Sequence, residues 1–248
     1  MAVALTQAPL RDRGRCTKRA ADRRLFLVGT IVISAMVVAG FAKTYFFRAL
    51  FPAQESLTVL VWAHGLLMSG WIALFVAQVL LVAMGRTDWH RGLGQLEVAL
   101  LALIAMVSVP TVLVAARLGG DHMPGPALPA LASVSGFLFT FLGLAAAGLL
   151  LRGHPDAHKR LMLVATLVAM EAATSRLPFD FLNSTLRIHA ANDVVLLGML
   201  GYDTLKHRRL HPAFLCGALA VGIMQAATMW TAQTPAWLRI ARSIVGVA

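Results

Sequence analysis

The chain has 248 residues, 58% of them hydrophobic and only 13% charged, and its mean hydropathy is +0.74. A soluble domain is about 45–50% apolar and about 25% charged, so a water-soluble globular fold is excluded. A formal charge of +11 invites a nucleic-acid reading, but that requires a basic face on a folded domain, and here the bases sit between apolar runs.

Residues 1–24 carry seven bases: Arg11, Arg13, Arg15, Lys18, Arg19, Arg23 and Arg24. They are too long and polar for a secretory signal, and the run after them exceeds a signal core of roughly 7–15 residues. A disordered basic cytoplasmic arm ahead of an uncleaved first helix is expected. Crossing the hydrocarbon takes roughly 20 apolar residues, and runs near that length occupy 25–47, 57–84, 98–116 and 128–151. A shorter run follows at 161–173. Two weaker ones close the series, 190–205, which carries Asn192, Asp193 and Asp203, and 214–230, rich in small residues.

The predicted fold is therefore all-α, a seven-helix transmembrane bundle over residues 25–232, with the sixth helix the weakest. Outer connections are expected at 48–56 and 119–126, and a loop or short surface helix at 177–189. In 233–248, Trp237, Leu238, Ala241, Ile244 and Val245 fall at helical spacing, which predicts a helix lying in the membrane interface. Cys16 and Cys216 are expected far apart, too distant for a disulfide.

A motif recurs at three loops: His90-Arg91-Gly92-Leu93, His158-Lys159-Arg160-Leu161 and His207-Arg208-Arg209-Leu210. In the first two the match extends back through Gly85-x-x-Asp88 and Gly153-x-x-Asp156; in the third, Asp203 precedes its histidine by four. These loops hold Arg86, Arg91, Arg152, Lys159, Arg160, Lys206, Arg208 and Arg209, so with the N-terminus one side of a seven-span chain takes 15 of the 22 bases. The positive-inside rule then places the N-terminus and the three loops in the cytoplasm and the C-terminus outside. Asp88 and Asp156 stand where N-caps belong, and Arg91, Lys159 and Arg160 are expected to snorkel to anionic lipid headgroups. A cap and an anchor leave the histidines unexplained. If the third and fifth helices are neighbours, His90 and His158 stand at one depth, able to share a metal, a haem iron or a proton.

Charged residues within spans are costly and mark sites or pathways. Glu97 lies seven residues beyond His90, on nearly the same face and roughly 10 Å deeper. Glu171 lies roughly 20 Å beyond His158, with Thr174, Ser175 and Arg176 close by. His64, His189 and Asp193 belong to the same outer half. Glu97, Glu171 and Asp193 are candidate proton carriers; His64, His90, His158 and His189 are candidate haem or quinone contacts; Glu171 and Arg176 are candidate ligand contacts, or else an internal ion pair. There is no His-Glu-x-x-His, Cys-x-x-Cys or glycine-rich phosphate loop, so no metal site or NTPase is assigned.

The run Trp62-Ala-His64-Gly, then Gln78-x-x-Leu81-Val82-x-x-Gly85-Arg86-x-x-x-His90-Arg91-x-Leu93-Gly94, then His158-Lys159-Arg160-Leu161-Met162-Leu163 resembles a group of bacterial inner-membrane proteins of unknown function. The resemblance covers the second to fifth helices and implies an inner-membrane, multi-pass location. More distantly, histidines toward each face resemble the layout of transmembrane di-haem cytochromes b, whose ligands lie deeper in adjacent helices. Two classes of function follow: a histidine-dependent membrane redox protein using haem b or quinone, or a non-enzymatic carrier or assembly factor with a polar outward-opening pocket. A structural protein holding anionic lipid stands behind them.

Overall fold

The computed structural model describes residues 8–51, 56–118 and 127–246, with side chains from Ala20 onward, Ala127 excepted. The expected outer loop at 119–126 and the side chain of Cys16 lie outside the described residues; Cys216 is exposed. Eight α-helices are described: α1 (Ala8–Phe41), α2 (Val59–Ala83), α3 (Thr87–Leu118), α4 (Ala127–Leu150), α5 (Pro155–Thr174), α6 (Thr185–His207), α7 (Pro212–Thr231) and α8 (Pro235–Val245). No strand occurs among the described residues. α1 begins at Ala8, inside the segment expected to be a disordered arm, so much of that basic stretch extends the first helix.

Five helices are long and apolar enough to cross a membrane: α1 from Ala20, α2, α3, α4 and α7. Only 22% to 39% of their apolar windows is buried inside the protein, so their apolarity is spent mostly on the outer surface. α5 inverts this relation. It carries Asp156, His158, Lys159, Arg160 and Glu171, yet 13 of its 20 residues are buried, because α1, α4, α6 and α7 all pack around it. A helix sheathed by other helices need not be apolar, since protein groups rather than lipid surround its side chains.

Direction along the bundle follows from the contacts. At one end the start of α5 meets α1 through Lys159 and Asp22, α3 through His158 and His90, and α6 through Arg160 and Asp203. At the other end Gly40 of α1 lies against Ala173, and Glu171 meets His189 of α6. α5 and α6 thus run antiparallel along the same length as α1, and the three histidine motifs gather at one end. At the opposite end α8 caps the bundle: Ala241 and Val245 pack on Ala115, Ala116 and Leu131. Trp237 donates to the Leu128 carbonyl at 3.0 Å, and Arg117 to that of Val245 at 2.9 Å.

Close approach of α1 to α5 depends on a missing side chain. A Cβ at Gly40 would collide with the backbone carbonyl of Ala173, a contact of the small-residue kind by which membrane helices associate. Gly40→Val is expected to lower the melting temperature in detergent, by about 1–3 kcal/mol of overpacking cost or more. Gly92→Ala, whose Cβ meets nothing within 4 Å, should leave it unchanged or slightly raised; equal melting temperatures for Gly40→Val and wild type would refute the packing.

Candidate functional site

At the motif end the side chains form an ionic network. Arg160 is 2% exposed and Asp203 1%, and they are joined by two parallel bonds, Nε to Oδ2 at 2.9 Å and Nη2 to Oδ1 at 2.7 Å. Asp22 of α1 accepts from Lys159 Nζ at 2.8 Å and from His207 Nε2 at 2.8 Å. Lys159 also donates to Asp156 at 2.6 Å. This corrects the expected snorkelling: Lys159 and Arg160 turn inward to acids, and only Arg91 stays exposed. It also corrects the capping. His154 occupies the N-cap of α5 without a side-chain bond, and Asp156 lies in the first turn, as Asp88 does in α3, where an acid still complements the helix dipole.

Asp22, Asp203 and His207 bring their ligand atoms within 4.8 Å of one another. These acids already neutralise Lys159 and Arg160, so a cation here would compete with two bound bases. Nearby, His211 caps α7 by accepting the Ala213 N–H at 3.2 Å, and burial together with the charge of Arg160 lowers its pKa below the ordinary histidine value.

His90 and His158 do face each other, their ring centroids 6.3 Å apart and their planes at 68°. They differ in what holds them. His158 Nδ1 donates to the Gly148 carbonyl at 2.7 Å, satisfying one of the carbonyls left open in the last turn of α4. His90 Nδ1 is buried with no hydrogen-bond partner. Deeper along α3, Glu97 (5% exposed) faces Gln78 (5% exposed) of α2.

The outer half holds a second polar group. Glu171 and His189, each 2% exposed, are hydrogen-bonded through Oε1 and Nδ1. His189 Nε2 is buried without a partner, and the ring stands edge-on to Phe137 at 5.5 Å. Asp193 bears electrostatically on Glu171 and accepts from Gln225 Nε2 at 3.0 Å, while Thr174 donates to Asn192 at 2.9 Å. Arg176 does not pair with Glu171. It donates to the Ala172 carbonyl at 2.7 Å and lies over the Phe41 ring at 4.9 Å. His64 bonds Ser108 at 3.0 Å through Nδ1, so the outer site comprises Glu171, His189 and Asp193, with His64 and Arg176 held by other partners.

Sequence reasoning missed Asp22, Gln78, Asn192 and Gln225 as partners. Their signal was present, as polar residues in or beside apolar runs, but each became meaningful only beside a residue of another helix. These features define a multi-pass helical membrane protein with two internal polar clusters. Comparison with known protein families, with curated proteins and with solved structures finds no match for this chain.

Removing one member of the Arg160–Asp203 pair strands the other as a buried charge, at about 3–5 kcal/mol. Arg160→Ala and Asp203→Ala are each expected to cut thermal stability severely in detergent. The double variant Arg160→Met/Asp203→Leu should regain most of it. Failure of the double variant to recover would mean that the pair itself is indispensable.

Proposed function

We propose that the chain is a seven-span bacterial inner-membrane redox protein, with its N-terminus and three histidine loops in the cytoplasm and its C-terminus outside. In this reading the Glu171–His189 pair contacts a quinone in the outer half of the bundle. Seven spans are favoured by the course of α5 and α6, which run beside α1 for the length of the bundle although their composition is less apolar. The orientation rests on the distribution of bases, and the bacterial setting on the resemblance of helices two to five.

One observation carries the functional reading: a buried imidazole whose Nδ1 is held by a buried carboxylate while its Nε2 is left unpartnered. Buried polar atoms without partners are few in folded proteins and call for a reason. The pair has two proton arrangements. With Glu171 ionised and the proton on Nδ1, Nε2 is an acceptor; with Glu171 protonated, Nε2–H is a donor. The second arrangement holds one proton more than the first: a quinol hydroxyl gives a proton to Nε2 while the Nδ1 proton passes to the Glu171 carboxylate, and the reverse returns a proton to a reduced quinone. A bound quinone would supply the electron chemistry. A haem held by two histidines has less support at this cluster, because the ring found against His189 is Phe137 and no second histidine is in contact with it among the described residues.

Purified protein in mild detergent should carry extractable quinone and show no Soret band. His189→Ala and Glu171→Gln should each lose most of the quinone while remaining folded by circular dichroism. A haem spectrum abolished by His90→Ala or His158→Ala would replace the quinone reading with haem ligation at the motif end. Absence of both groups, with no binding of added quinone, would leave the carrier class.

A further inference from the structure

Between the motif end and the bundle interior, α2, α3 and α5 bring together four polar side chains that the quinone reading does not use. His90 and His158 face each other at 6.3 Å between ring centroids. Seven residues along α3 from His90, and so on nearly the same face, Glu97 meets Gln78 of α2. Two features set this group apart from ordinary interfacial polarity. Gln78 is 5% exposed and its amide bears on Glu97, which leaves its Oε1 without a partner; His90 Nδ1 is buried and unpartnered as well. Glu97 forms no ion pair among the described residues, in contrast to the acids of the neighbouring network, each of which holds a base.

Two unpartnered polar atoms on adjacent helices, Gln78 Oε1 and His90 Nδ1, together with the Glu97 carboxyl group match the demands of internal water, which bonds to about three groups. We propose that His90, Gln78 and Glu97 form a proton-uptake path from the cytoplasmic face, with His158 as the fixed wall that orients His90. One ring nitrogen of His90 takes a proton from cytoplasmic water, and the buried Nδ1 gives one up inward. Water held by the Gln78 amide carries it, and the Glu97 carboxylate accepts it as a carboxylic acid. The net change is one proton moved from the cytoplasmic side to Glu97, with no other bond altered. The gap along the helix is roughly 10 Å, too long for direct transfer and short enough for a few waters. The charged and titratable groups bearing on His90 are His158 from α5 and Arg91 of its own helix. His158 is held in place because its Nδ1 proton is committed to the Gly148 carbonyl.

This inference goes beyond the quinone reading and stands or falls separately from it. The test is infrared spectroscopy of the full chain in lipid vesicles after a rapid change from H2O to D2O. Wild type should show a carboxylic-acid C=O stretch that Glu97→Gln removes. Its deuterium shift should slow by about a hundredfold, the lower range of a lost proton-transfer group, in His90→Phe and again in Gln78→Leu. Circular dichroism and melting temperature show whether each variant is folded, and His90→Gln, which keeps a polar side chain but cannot relay a proton, is the gentler alternative if His90→Phe is not. Glu171→Gln and His189→Ala should leave the exchange rate unchanged whether or not quinone binds. Retention of the band in Glu97→Gln, or exchange at the wild-type rate in both His90 variants, would overturn the proposal.

Discussion

The architecture depends on keeping α5 out of lipid. Arg160 and Asp203 are ions in the interior of a bundle that presents apolar surface outward, and the desolvation of each costs several kcal/mol. Their two parallel hydrogen bonds, together with the Asp156 carbonyl that accepts from Arg160 Nη1 at 2.9 Å, supply a geometry in which such a pair is tolerated. The pair fixes α6 against α5 at one end, and Asp22 fixes α1 there through Lys159 and His207. With α1 and α6 held, and α4 and α7 closing the other sides, the polar face of α5 never meets hydrocarbon. The helices that do meet it are the strongly apolar ones.

That division explains which parts of the molecule were legible in the sequence. Hydropathy measures the surface a helix gives to lipid, so α1, α2, α3 and α4 stand out. α7, with its small residues, reads as weaker although it too is apolar enough to cross, and α5 and α6 read as short or weak although they run beside α1. The interfacial spacing of Trp237, Ala241 and Val245 predicted α8, but could not show that this face docks on Ala115 and Leu131. The third motif copy looked degenerate because Asp203 precedes its histidine by four rather than two. The displaced acid serves the second copy instead, bonding Arg160 across 43 positions, a distance no local pattern registers.

Local spacing also misled at Glu171. Arg176 lies beyond the end of α5, in the turn after Ser175, and donates back to the Ala172 carbonyl instead. His189, in the next helix, is the partner of Glu171. The duplicated motif put His90 and His158 at one depth, but whether they meet depends on α3 and α5 lying side by side, which the sequence left open; their rings stand 6.3 Å apart.

The two copies nonetheless have different tasks. His158 ends a helix: its bond to Gly148 satisfies a carbonyl that α4 would otherwise leave open, and this is sufficient reason for an imidazole there. No such bond holds His90, although its motif is the fuller match to the family-like run. Between the motif end and the Glu171–His189 pair, α5 presents Leu161 to Val168, apolar except for Thr166, whose hydroxyl accepts from Trp71 at 3.3 Å. From Arg160 to Glu171, roughly 17 Å along the helix, α5 carries no titratable side chain. Along α5, then, no chain of titratable side chains joins the motif end to the outer pair. Another buried carboxyl group near the motif end, Glu97, stands on α3, with the amide of Gln78 beside it and Gln78 Oε1 left without a partner.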